Sequence, residues 1–131
     1  MSTWRRKALE VLPAMQEIID EAESPMALWI NLWLEFEDAA KQNDDATVRR
    51  ILEYAFCCIS PAAGELPSDA STAAVCAFFE HLPTDEALWP RLPEWLSPSQ
   101  FEAVKRFFHY FLSDGEVERL AAVFYSNKGH S

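Results

Sequence analysis

A chain of 131 residues is the size of one domain and can bury a core without disulfides or metals. Half of it is apolar, 13% is aromatic and glycine occurs only three times, which excludes a loop-dominated or β-rich protein and favours packed helices. A net charge of −10 argues against nucleic acid or anionic lipid as a partner.

That charge is concentrated. Glu10 to Asp45 holds ten acids against one base, Lys41, and so carries nine of the ten excess negative charges. A field of this sign keeps a protein soluble and attracts a basic partner.

Trp4, Ala8, Leu12, Met15, Ile18 or Ile19, and Ala22 share one helical face. Pro13 interrupts it, either as a kink or as the first-turn residue of a second helix. Ser24-Pro25 is a cap followed by proline at the first helical position. It opens a helix striped by Met26, Trp29, Ile30, Trp33, Phe36 and Ala40 and widened by Leu28 and Leu32, with Asn31, Glu35, Asp38 and Gln42 opposite. Asn43-Asp44-Asp45 reads as a turn and cap. The next helix, about Ala46 to Ile59, turns Val48, Ile51, Leu52, Ala55, Phe56 and Ile59 inward.

Ser60 to Ser68, with Pro61, Gly64 and Pro67, is the longest expected loop. A helix from Ser68 or Asp69 then buries Val75, Phe78, Phe79 and Leu82. Thr84-Asp85-Glu86 caps a short turn ending at Trp89, and Pro90, Pro93 and Pro98 divide the following stretch into short or 3₁₀ pieces. Ser97-Pro98 opens a helix to Leu112 with Phe101, Val104, Phe108 and Phe111 on one face. Asp114-Gly115 breaks the chain before a last helix, Glu116 to about Ser126. No segment alternates with period two. The expected fold is all-α: one domain over residues 1–131, a bundle or short α-α stack of about six helices without a sheet, ending in a frayed tail at 127–131.

Chemistry is sparse. Phosphate-cradling glycine loops, a G-x-S-x-G elbow and H-E-x-x-H are all absent. A bundle di-metal site needs Glu-x-x-His, but Phe78 and Arg106 stand three residues before His81 and His109. No catalytic residue, metal site or cofactor is expected. Cys57, Cys58 and Cys76 form no disulfide framework and no zinc spacing. Cys57 and Cys58 fit buried structural thiols, although pairing in space with His81 or His109 stays open. Arg49-Arg50 and Lys105-Arg106 have Glu53 and Glu102 at ion-pair spacing; Arg5-Arg6-Lys7 shows no such partner. No apolar run reaches membrane length, the first residues lack a signal core, and a reducing cytoplasm is the expected location.

The aromatic surplus lies partly in the proline-punctuated stretch. Trp89 and Trp95, with His109 and Tyr110, form either a contact surface or the lining of a pocket, the latter making the chain a small-molecule-binding or enzymatic helical domain, unless their rings pin the loop over the core. The surplus would also suit a homodimer.

Ala74-Val75-Cys76-Ala77-Phe78-Phe79-Glu80-His81-Leu82-Pro83 follows a helix with Leu52-Glu53 and precedes a proline-rich link. Over residues 25–112, this helix order and apolar spacing resemble small bacterial all-helical domains of unknown function, some regarded as immunity or interaction partners in toxin systems. The resemblance transfers no site, and the functional expectation rests on the missing catalytic motifs and the acidic block from Glu10 to Asp45. The leading expectation is a non-enzymatic module that binds another protein, a basic one, through Glu35 and Asp38 with Glu17 and Glu21 alongside.

Overall fold

The computed structural model describes residues 2–60 and 68–128. Every regular element among them is helical, with no strand. The expected loop core at 61–67 and the end of the tail, 129–131, lie outside the described residues. Among the described residues eight α-helices replace the expected six or so, because Pro13 splits the first and the proline-rich stretch contributes one more. Contacts gather the chain into two compact units, Met1–Phe78 and Phe79–Ser131.

In the first unit, α1 (Thr3–Val11) stops before Pro13, which begins a 3₁₀ turn (Pro13–Met15) leading into α2 (Gln16–Glu21). The proline starts a new segment because its ring cannot accept a preceding helical turn. Arg5 donates from Nε to the Ile19 carbonyl at 3.4 Å and from Nη2 to the Ala22 carbonyl, satisfying acceptors at the α2 C-terminus. Lys7 pairs with Glu10 at 3.8 Å. The N-terminal basic cluster therefore does have local partners, contrary to the expectation.

Helix α3 (Pro25–Lys41) begins as expected, with Ser24 Oγ accepting from the Ala27 N–H at 3.1 Å. Its buried face differs from the expected stripe. Leu28, Trp29, Leu32, Phe36, Ala39 and Ala40 are buried, whereas Met26, Ile30 and Leu34 are 39%, 54% and 58% exposed. Apolar residues wrap most of this helix, and α2, α4 and α5 cover only one side of it. Periodicity cannot choose which part of so wide a face is covered.

A left-handed Asn43 (φ 60°), tolerable for its short polar side chain, turns the chain into α4 (Asp45–Ile59). Asp44 caps α4, accepting from the Thr47 N–H at 3.2 Å and the Thr47 hydroxyl at 2.6 Å. These bonds hold its carboxyl below the usual carboxylate range. Helix α5 (Ser68–Ala74) buries the small side chains of Ala70, Ala73 and Ala74 and passes into a π-helical turn, Val75–Phe79. Within the unit, Phe78 sits among Trp29, Trp33 and Phe36 at centroid distances of 5.1, 5.7 and 5.0 Å, and Trp29 stacks on Tyr54 at 5.4 Å.

Tyr54 is fully buried and donates its hydroxyl to the Trp4 carbonyl at 3.1 Å, tying α4 to α1. Burial pushes its pKa up. Tyr54→Phe removes this buried bond between α4 and α1. The expected cost is about 1–2 kcal/mol, read as a lower urea midpoint at unchanged slope.

The second unit starts with short pieces: 3₁₀ turns at Leu82–Thr84 and Glu86–Arg91, then α6 (Leu92–Trp95). The Asp85 carboxylate accepts from the Ala87 N–H at 3.0 Å, so the expected cap forms. A capping box between Ser97 and Gln100 opens α7 (Pro98–Val104). The helix expected to reach Leu112 tightens to 3₁₀ over Lys105–Tyr110. At its exit the Leu112 N–H bonds the Phe108 carbonyl at 3.1 Å, so Leu112 is buried and Phe111 is left 48% exposed. That reverses the inward assignment of Phe111.

Helix α8 (Asp114–Lys128) starts two residues earlier than expected and runs through Asn127. A second reciprocal cap explains this. Glu116 N–H reaches Ser113 Oγ at 3.2 Å, and Ser113 N–H reaches Glu116 Oε1 at 3.0 Å. Gly115 therefore lies inside the helix and the chain break falls before it. The core of this unit is Phe101 stacked on Phe124 at 4.1 Å, with Val104, Phe108, Val117 and Leu120.

Candidate functional site: an acidic cleft

The stop at Pro13 and the tight turn at Asn43 bring three segments of the first unit to one place. A cleft of about 300 Å³ is lined by Ala14, Met15, Glu17 and Ile18 before and on α2. Glu35, Asp38, Ala39 and Gln42 line it from the end of α3, and Asp44 and Thr47 from the start of α4. Three of the four residues singled out for partner binding, Glu17, Glu35 and Asp38, thus meet at one site. Glu21, the exposed last residue of α2, does not line it.

Asp44 joins these carboxylates because its N–H bonds the Ala39 carbonyl at 2.8 Å, folding the chain back against α3. In the sequence it read only as a cap, which it also is; that it reaches a cleft depends on the turn. Gln42 Nε2 donates to Asp38 Oδ2 at 3.0 Å and orients that carboxylate. Glu17 and Glu35 have no ion-pair partner among the described residues. Among the described residues no three His, Cys, Asp or Glu side chains stand close enough to hold a metal.

Four carboxylates border the cleft and no basic side chain does. Ala14, Met15, Ile18 and Ala39 provide apolar surface beside them. This pairing of acid and apolar wall suits a lysine or arginine, whose methylenes pack on carbon while the cationic head meets the carboxylates. Each exposed pair contributes about 1 kcal/mol or less, and their shared sign adds a field that steers approach.

The second set of candidates does not gather into one environment. Trp89 and Trp95 are core side chains of the second unit. Trp89 Nε1 donates to the Pro83 carbonyl at 2.8 Å, and the Arg119 and Arg91 guanidinium groups lie over Trp89 and Trp95 at 5.2 and 4.7 Å. These rings pin the proline-rich stretch to its core and form no exposed surface. His109 and Tyr110 are exposed; His109 Nδ1 lies 2.9 Å from an Asp114 carboxylate oxygen, and Tyr110 stands edge-on to Phe111 at 4.8 Å.

The three cysteines are free thiols. Cys58 is buried, which pushes it up to about 12, and Cys57 is raised by partial burial. Because the thiolate is the nucleophile, Cys58 is expected to resist alkylation at pH 8 in the folded protein. Mass spectrometry under native and denaturing conditions checks this: exposed Cys76 is labelled first, and Cys58 only on unfolding.

No known protein family, characterised protein or solved structure matches this chain. Among the described residues no helix is long and apolar enough to cross a membrane.

Proposed function

We propose that this protein is a non-enzymatic binding module that captures a basic protein through the acidic cleft of its first unit. The observation that carries the reading is the convergence of Glu17, Glu35, Asp38 and Asp44, from three separate segments, on one cleft without a basic residue in its lining. Such a role is immunity-like, of the kind attached to some of the small all-helical domains that the chain resembles. Work in a reducing cytoplasm accords with three free thiols.

Capture from a lysate of the source cells, with the wild type beside Glu35→Lys/Asp38→Lys, tests the proposal at low and moderate salt. Asp38 is exposed, Glu35 is half-buried and neither belongs to the buried core, so the double reversal leaves the core intact. The expected result is one stoichiometric basic protein retained by the wild type and lost by the variant. Equal retention by both removes the cleft from the interaction.

A further inference from the structure

The acidic cleft has an apolar extension that the proposed function does not use. Along α3, Met26, Ile30 and Leu34 are spaced four residues apart and are all exposed. The next residue in that spacing is Asp38, and the one after is Gln42, both of which line the cleft. One ridge therefore runs from three apolar side chains into the carboxylates. Its apolar part is about 12 Å long, two turns of helix. Ridges of four-residue spacing are the surfaces that interdigitate when helices pack.

The charge along the ridge is equally ordered. Between Pro25 and Leu34 the helix has no charged residue, and its acids (Glu35, Glu37 and Asp38) follow in the next turn. A complementary ligand is apolar over two turns and basic beyond them.

We infer that the partner docks as an amphipathic helix, its apolar row against Met26, Ile30 and Leu34 and a lysine or arginine beyond that row entering the cleft. The inference rests on the acidic-cleft reading and specifies its partner. Burial of three exposed aliphatic side chains supplies affinity, while the carboxylates fix register and speed encounter.

The test uses the full chain and a synthetic helical peptide of about 18 residues. The peptide has leucines at four-residue spacing over two turns and lysines clustered at one end, prepared with the lysines at either terminus. A lysine-rich peptide of equal charge without leucines is the control. Fluorescence anisotropy follows binding at two salt concentrations, and light scattering follows the protein's mass.

One order of the amphipathic peptide is expected to bind at least about tenfold more tightly than the control. Ile30→Gln/Leu34→Gln, at exposed positions that tolerate a good helix former, should remove that advantage while leaving the salt dependence unchanged. Equal affinity for amphipathic and control peptides overturns the docked helix and leaves the cleft reading standing. Loss with Ile30→Gln/Leu34→Gln but none with Glu35→Lys/Asp38→Lys overturns the cleft reading and the lysine seat with it. A doubled mass that the glutamine pair abolishes, with no peptide bound, makes a second copy the occupant and overturns the inference.

Discussion

Phe78→Ala is expected to lower the stability of the first unit by about 3–5 kcal/mol, the range for a phenylalanine lost from a packed core. Phe78 is fully buried and its ring touches three aromatic rings of α3, two of them edge-on or nearly so. Truncation therefore leaves a cavity walled by Trp29, Trp33 and Phe36, large rigid groups that cannot close over it by rotating. Each edge-to-face pair also forfeits about 0.5–1.5 kcal/mol beyond the area term. The loss approaches the whole stability of many domains of this size. Urea unfolding followed by tryptophan fluorescence checks it, since Trp29 and Trp33 report directly on the site. A cost under about 1 kcal/mol would mean that the aromatic cluster is more plastic than its packing implies.

If the proposed basic partner binds the cleft, reversing Glu35 and Asp38 to lysine is expected to slow its association by about tenfold to a hundredfold at low salt, with a smaller effect on dissociation. The double change replaces two negative charges by two positive ones in a cleft whose other charged groups are Glu17 and Asp44. Asp38 is exposed and Glu35 half-buried, so screening limits their contribution to the bound state, and the long-range field acts mainly on encounter. Wild-type association should fall steeply with added salt, while that of the variant should be nearly flat. Stopped-flow measurements at several ionic strengths separate the two. Parallel salt curves would place the contact elsewhere on the protein.

The caps show how far local sequence reaches. Ser24-Pro25 and Ser97-Pro98 open α3 and α7 because an N-cap hydroxyl and a proline satisfy requirements local to one turn. Ser113-Asp114-Gly115-Glu116 carries the same kind of signal, but the glycine masked it: helix propensity argued for a break where the reciprocal cap outweighs the cost of Gly115.

Phe111 and Ile30 mark the other limit. Both lie on faces that are apolar by periodicity, and both are exposed. Phe111 gives way to Leu112 because the tightened 3₁₀ segment returns to an i+4 bond at its exit. Ile30 is exposed because α2, α4 and α5 cover the other side of α3. The first depends on where its own segment tightens, and the second is not encoded within the helix that carries the residue.

The sequence by itself determined the helical class, most helix starts and the acidic block from Glu10 to Asp45, since these depend on composition, capping and spacing within a few residues. Only the tertiary structure decided that Glu17, Glu35, Asp38 and Asp44 share a cleft while Glu21 does not, and that Trp89 and Trp95 are core. It also decided that Met26, Ile30 and Leu34 stay uncovered. The physical reason is common to all three. A helix displays a whole circle of side chains, and which arc meets a neighbour depends on the direction in which the chain returns, set in the first unit at Pro13 and Asn43.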